Sequence, residues 1–302
     1  MSVYNEKKYL LDAINSILNQ TFKDFEFIII DDGSEESIHK VLTTFTDDRI
    51  KLLTSEKNMG LTASLNKGLF WSSGEYIARQ DADDVSELVR LQHQVSYLNK
   101  HPEIGVLGTS TTIINERGDE VDEWEADPNP MESLKTGNRL THGSVMFRRS
   151  IMEDIGKYDY HFKYAQDYEY WLRISKKYQI RNLQNRLYHT RLHGEMLGVT
   201  KTEEQAQFVI RAQRMDGLMG DYPHELQMTK NEKIRYHNML VYSYVQANRM
   251  LEAKHEFREI FKLDPLNIDN LIRIIAYTIN GRAGILSAQN TYRKLRKLSI
   301  LH

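Results

Sequence analysis

The chain has 302 residues, of which 40% are hydrophobic and 27% charged, with a formal net charge of -2 and no cysteine. That length is ample for a large buried core, and the missing cysteines exclude disulfides, thiolate zinc sites and cysteine nucleophiles. A near-neutral balance argues against wholesale nucleic-acid binding, which requires a strongly basic surface. No run of about 18 apolar residues is present to cross a membrane, and no charged segment followed by an apolar stretch opens the chain. With the absence of cysteine, this sets the expectation of a cytoplasmic protein.

Residues 6–20 carry apolar positions at Tyr9, Leu10, Ala13, Ile14, Ile17 and Leu18, a helical spacing. The run 25–30, FEFIII, ends at Asp31-Asp32-Gly33-Ser34 and predicts a buried strand followed by a turn. Ser34 is placed to cap a helix over 35–45. A short strand over 50–54, a loop at Asn58-Met59-Gly60 and a helix over 61–71 follow. A strand over 75–79 runs into Asp81-Ala82-Asp83-Asp84, and Ser86 is placed to cap a helix that His101-Pro102 stops. Residues 104–114 read as a strand with a turn at 116–119.

From Met131 the pattern changes. A β-rich stretch over 141–147, a short helix over 150–155, an aromatic loop over 156–164 and a helix over 167–177 lead into one or two strands over 180–193. Beyond about residue 200 only helices are expected, over 205–219, 230–248, 251–263 and 267–280. The expected boundaries are an α/β domain over 1–200, split near 115, and a helical region over 201–302.

Alternating strands and helices imply a mainly parallel sheet flanked by helices, with ligands outside the carboxyl ends of the strands. Both acidic clusters fall at such ends. An Asp-rich turn is common in itself. Carboxylates two residues apart on an extended segment point to one side, however, and such oxygens suit Mg or Mn, which would neutralise a diphosphate. An Asp beside Gly33-Ser34 is suited to accept hydrogen bonds from a base or ribose. There is no GxxxxGK[ST] and no GxGxxG after a strand.

Ser2-Val3-Tyr4-Asn5-Glu6, residues 16–21 (SILNQT) and Asp31-Asp32-Gly33-Ser34 together resemble the opening of a family 2 glycosyltransferase. Asn58-Met59-Gly60, Asn66-Lys67-Gly68, residues 74–78 (GEYIA) and Asp81-Ala82-Asp83-Asp84 continue the resemblance in order, and residues 142–148 (HGSVMFR) and 166–173 (QDYEYWLR) match the acceptor half. The ordered set spans roughly residues 1–195. The resemblance implies a GT-A (Rossmann-like) α/β fold with a helical C-terminal region. It also implies inverting, usually metal-dependent transfer from a nucleotide sugar, with a UDP-sugar favoured. On the same basis Tyr4, Asn5, Glu6 and Asn58 border the nucleotide, Asp31 and Asp32 lie at the base, Asp81 sits near the ribose, Asp83 ligates Mn or Mg, and Asp167 is the catalytic base. The family more often has Glu where Gln166 stands.

Further residues carry two readings each. His193 approaches the metal or diphosphate in many relatives, against a plain surface or core histidine; Gly194, Glu195 and Met196 replace the serines that often follow it. Arg79 faces the donor phosphate or pairs with a nearby Asp. His142 opens a strand as a structural residue or touches the acceptor. Trp171 forms a sugar platform or packs in the core, and Tyr158, Tyr160, Phe162 and Tyr164 shape the acceptor site or simply pack. After Asp269 no acid occurs, while Arg273, Arg282, Arg293, Lys294, Arg296 and Lys297 follow among Leu, Ile and Tyr. That tail lies on the inner face of an anionic plasma membrane or packs on the catalytic domain. Relatives usually have an apolar strand that ends in Ser-Val-Tyr-Asn, so the expectation is that the natural start lies upstream of Met1.

The leading expectation is a glycosyltransferase, of hexosyl- or N-acetylhexosaminyltransferase class. It would build a bacterial cell-envelope polysaccharide on a saccharide or lipid-linked acceptor. A haloacid-dehalogenase-like phosphatase is the second enzyme reading, since Asp81-Ala82-Asp83-Asp84-Val85 resembles its DxDx[TV] start, although Arg79-Gln80 precede it in place of an apolar strand. A binding or scaffold protein with a retired site is the third.

Overall fold

The structure is a computed structural model that describes residues 1–196, 200–215, 228–246 and 249–265. The described residues divide into two compact units, the first Met1–His193 with 212–215, the second the remainder from 194 onward.

The first unit opens with β1 (Ser2–Val3), α1 (Leu10–Leu18), β2 (Phe27–Asp31), α2 (Glu36–Thr43), β3 (Ile50–Thr54) and α3 (Leu61–Trp71). The strands form a parallel sheet in the order β1-β2-β3. Phe27 and Ile29 of β2 pack with Leu10, Ile14 and Ile17 of α1 and Ile38 and Leu42 of α2 in one cluster. The helical spacing of the apolar residues in α1 and α2 is what brings those side chains onto one face each.

A second, six-stranded sheet holds β4 (Tyr76–Ala78), β5 (Val85–Ser86), β6 (Ile104–Ile114), β7 (Glu120–Trp124), β8 (Met146–Arg148) and β9 (Gln179–Arg191), in the order β4-β8-β6-β9-β5 with β7 beside β6. Only β6 and β9 run parallel; the other pairs are antiparallel. The fold is thus mixed α/β with its parallel character concentrated in the first sheet. Three further helices complete this unit: α4 (Arg90–Lys100), α5 (Ser150–Ile155) and α6 (Gln166–Ile174).

Local expectations change at three points. Ser34 does not cap α2: its Oγ accepts the Asn5 N–H (3.1 Å), and Glu35 stands at the cap position. Ser86 does not cap α4 but lies in β5, where its Oγ donates to Gln80 Oε1 (2.7 Å). His142 does not open a strand: His142–Ser144 is a 3-10 turn, and β8 begins at Met146. Ser34 is taken by Asn5, 29 positions away, and Ser86 by its pairing with Tyr188 of β9.

The second unit contains α7 (Thr202–Met215) up to Arg211, α8 (Lys230–Gln246) and α9 (Met250–Leu263). Ala206, Leu240, Val241, Tyr244, Val245, Ala253, Phe257 and Ile260 form its core, and the Tyr244 hydroxyl donates to Glu203 Oε1 (2.9 Å). The expected helix over 267–280 and the basic tail from Arg273 onward lie outside the described residues. Among the described residues no helix is long and apolar enough to cross a membrane.

A cavity of about 730 Å³ lies beside β1, lined by Met1, Phe27, Ile28 and Ile30 on one side and by Tyr76, Ile77 and Ala78 of β4 on the other. β1 and β4 are the end strands of their two sheets. The Met1 amino group donates to the Ile28 carbonyl (2.8 Å), and burial, aided by the Arg79 charge, pushes its pKa down to about 4.

Candidate active site

The carboxyl end of β2 delivers Asp31 and Asp32, both buried. Asp31 Oδ1 accepts the Ser34 N–H (2.9 Å), and its Oδ2 lies 2.9 Å from His39 Nδ1. Asp32 accepts the N–H groups of Met59 (3.0 Å) and Gly60 (2.9 Å), the residues that lead into α3. Gly33, at φ +75°, leaves no room for a side chain: a Cβ there would stand 2.4 Å from the Lys57 carbonyl carbon. Two loops are therefore pressed together, with exposed Asn58 on one of them and exposed Tyr4 on the loop after β1. Asn5, itself at φ +54°, bridges to the second turn by accepting the Glu35 N–H (2.8 Å), and Glu6 Oε1 accepts the Lys8 (2.7 Å) and Tyr9 (2.9 Å) N–H groups.

The carboxyl end of β4 delivers Arg79, buried, whose Nη2 lies 2.6 Å from Asp81 Oδ1. Asp81 N–H donates to the Tyr188 hydroxyl (3.2 Å). Gly143 makes that approach possible, since a Cβ would meet the Tyr188 hydroxyl at 2.0 Å and Asp81 Oδ2 at 2.6 Å. Asp83 Oδ2 stands 2.9 Å from Nε2 of His193, just beyond β9. Asp84 is turned inward and accepts the Arg191 N–H (2.8 Å); burial, then the charges of Asp83 and Asp81, hold its pKa well above the usual carboxylate range. Arg191 lies over the Tyr9 ring at 4.5 Å and reaches Asp12 (3.1 Å), which ties α1 to the end of β9, two residues before His193.

The third group comes from α6. Asp167 lies in its first turn, where the helix dipole favours an anion, and Oδ2 accepts from Asn138 Nδ2 (2.6 Å). Further along α6, Glu169 and Arg173 form a buried pair (2.5 Å), and the same guanidinium donates to the carbonyls of Ile155 (2.8 Å) and Lys157 (2.7 Å). This clamps the aromatic loop. Asn66 of α3 holds the loop from the other side through both backbone groups of Tyr158 (2.9 and 3.1 Å). His142 Nε2 lies 3.0 Å from the Tyr158 hydroxyl. Its pKa is pushed down to about 4, first by burial and then by Arg79, against the opposing charges of Asp167 and Asp81. His142 thus feels Arg79 and Asp81 from the end of β4 and Asp167 from the start of α6, which puts those two groups into one electrostatic neighbourhood.

A family profile for glycosyl transferase family 2 matches residues 1–156. The chain belongs to this family. The O-antigen biosynthesis glycosyltransferase WbnJ of Escherichia coli is 35% identical over 204 residues, covering 65% of this chain and 79% of WbnJ. The amylovoran biosynthesis glycosyltransferase AmsE of Erwinia amylovora is 30% identical over 204 residues, covering 65% and 76%. A crystal structure of residues 1–349 of S. aureus TarS, in complex with UDP-GlcNAc, superposes with a TM-score of 0.59 at 17% identity and covers 97% of this chain and 90% of that one. At that identity the likeness is one of fold, the GT-A fold. Membership in family 2 removes the phosphatase reading.

For a family 2 glycosyltransferase, the sequence expectations are distributed as follows. Arg79 lies among the charges of Asp81 and Asp83, Asp83 pairs with His193, and His142 lies within reach of the charges of Arg79, Asp81 and Asp167. Tyr4, Asn5, Glu6 and Asn58 lie on the loops beside Asp31 and Asp32, whose own carboxylates are occupied by backbone N–H groups and His39. Arg79 pairs with Asp81. Trp171 forms no sugar platform: it is 0% exposed, with its ring against those of Tyr170, Phe147 and His142. Tyr158, Phe162 and Tyr164 are likewise packed, while Tyr160 is 69% exposed. Sequence reasoning missed Asn138, Arg191 and the Glu169–Arg173 pair; only the (i, i+4) spacing of the last was a visible signal.

Among the described residues, no three His, Asp or Glu side chains converge as an all-protein metal cage requires. Asp83 and His193 set one carboxylate and one imidazole side by side, the first 28% and the second 8% exposed. Hard divalent cations such as Mg, and Mn likewise, are commonly held by one or two protein groups, with substrate phosphates completing the shell. The donor set therefore fits Mg or Mn on a diphosphate.

Proposed function

We propose that the chain is an inverting glycosyltransferase that moves a sugar from a nucleotide diphosphate sugar, a UDP-sugar in the first instance, to a hydroxyl of a saccharide or lipid-linked acceptor in polysaccharide biosynthesis. The observation that carries this reading is Asp167. Its partly exposed carboxylate stands at the start of α6, and its charge acts on the same His142 as those of Arg79 and Asp81. UDP is favoured by the fold shared with UDP-GlcNAc-bound TarS, and the polysaccharide role by the names of WbnJ and AmsE. Residues 1–200 form the catalytic domain in this reading and 201–302 a helical region. The basic segment after Asp269 gives peripheral contact with an anionic membrane.

The acceptor O–H proton passes to Asp167 as its oxygen forms a bond to the anomeric carbon. The bond from that carbon to the diphosphate breaks with its electrons on the leaving oxygen, and configuration inverts. Asp83 and His193 would hold a Mg or Mn ion, which offsets the diphosphate charge when bound. Asp31 and Asp32 act on the donor through the loops they hold, and Tyr4, Asn5 and Asn58 on those loops border the nucleotide.

The test is release of nucleoside diphosphate from UDP-, GDP- and dTDP-sugars with Mn, for wild type and Asp167→Asn. A general base contributes about 10²–10⁴-fold, so the variant should lose that much in kcat while its affinity for the nucleotide is kept. Wild-type turnover in the variant would sink the assignment.

A further inference from the structure

Resting on the reading of Asp167 as base, we propose that Asn138 is the positioning residue of that base, and that a relay from the sheet through Asn182 fixes it. Asn138 lies on the loop between the 3-10 turn Ser133–Thr136 and the turn at His142. Its Oδ1 accepts the Leu140 N–H (3.1 Å), so the amide can face Asp167 only with its NH₂ group. That group donates to Asp167 Oδ2 at 2.6 Å. Among the described residues no cation pairs with Asp167, so this bond is what holds the carboxylate rotamer. It leaves Oδ1 for the acceptor proton. An amide donor suits this duty: it orients a carboxylate without the full opposing charge of Arg or Lys.

The loop is pinned in turn. Leu140 is buried, Arg139 Nε donates to the Ser133 carbonyl (3.2 Å), and the Arg139 carbonyl accepts from Asn182 Nδ2 (3.1 Å). Asn182, on β9, also donates to the Asp127 carbonyl (2.7 Å). It sits against Gly108 of β6, where a Cβ would stand 2.2 Å from Asn182 Oδ1. The absence of a side chain at Gly108 thus seats Asn182, Asn182 seats the loop, and Asn138 seats the base.

The experiment is a double-mutant cycle on nucleoside diphosphate release, using whichever of UDP-, GDP- or dTDP-sugar the wild type turns over with Mn. Asn138→Ala is expected to lower kcat about 10–100-fold with donor KM unchanged, the value of one hydrogen bond to a charged group. In the Asp167→Asn background the same change should have no further effect, because the two act as a unit. Asn138→Asp places a second carboxylate against Asp167, whose titratable neighbours His142 and Tyr158 are both uncharged near neutral pH. The acidic limb of its kcat profile should then move to higher pH. Gly108→Ala should reproduce part of the kcat loss from a distance. The proposal is overturned if Asn138→Ala leaves kcat unchanged, slows both backgrounds equally, or lowers the melting temperature as much as it lowers kcat. If Asp167→Asn itself turns over at the wild-type rate, or no donor is turned over, the base assignment fails, and the relay with it.

Discussion

Nε2 of His193 lies 2.9 Å from Oδ2 of Asp83, although 110 positions separate them in the chain. The pairing requires β9 to lie beside β5 and Arg191 to be locked over Tyr9. It sets a carboxylate and an imidazole side by side, the two groups proposed to hold the cation on the diphosphate. Asp83→Asn and His193→Ala should each weaken the Mn-dependent part of UDP binding about 10–100-fold, since loss of one ligand from so small a set is felt in full. Thermal shift with UDP, with and without Mn, reads this directly: at about 100 times its dissociation constant a ligand adds ~2.7 kcal/mol. Mn-dependent stabilisation that survives in both variants would place the cation elsewhere.

The elements that carry these acids could be read from the chain because each acid follows a feature with a strong local signal. Asp31 ends a continuous apolar run, Asp81 to Asp84 follow a strand, and Asp167 opens a helix. Orientation was not legible. Tyr168, Tyr170, Trp171, Leu172 and Ile174 are all buried, so α6 is covered on nearly every side and its periodicity could not say which way Trp171 points. β5 could not be seen because Val85 and Ser86 become a strand only through His189 and Tyr188 on β9. Asn138 carries no signal in a polar loop; its meaning comes from Asp167, 29 positions away.

His142 adds a pH dependence. Its pKa is about 4 in the folded chain against 6.5 for an ordinary histidine. Below pH 6.5 the unfolded chain therefore takes up a proton that the folded chain refuses until about pH 4. The contribution is complete above 6.5 and is lost as pH falls through that window, at about 1.4 kcal/mol per unit and about 3 kcal/mol at most. Urea unfolding of wild type and His142→Gln at pH 7, 6, 5 and 4.5 should show a shallower acid loss in the variant. Parallel pH profiles would mean that His142 stays protonatable in the fold.

The cavity beside Met1 is the remaining physical anomaly. It is a partly open cleft of about 730 Å³, with apolar side chains of β2 and β4 along its walls. β1 pairs Ser2 with Ile30 and Val3 with Asp31, so residues placed ahead of Met1 in the same register would meet Ile28 and Phe27 on one side. On the other side they would meet the free edge of β4. Three or four Val or Ile residues fused ahead of Met1, at about 3.3 Å each, should enter this slot, remove the buried amino group and bury two or three apolar side chains at about 1.5–3 kcal/mol each. The melting temperature should rise by about 10–20 °C, and binding of a hydrophobic dye should fall. A Gly-Ser extension of equal length removes the same amino group but fills nothing, so it should give only a small rise. If both extensions stabilise the chain equally, the cavity closes by its own rearrangement and is not a seat for a strand.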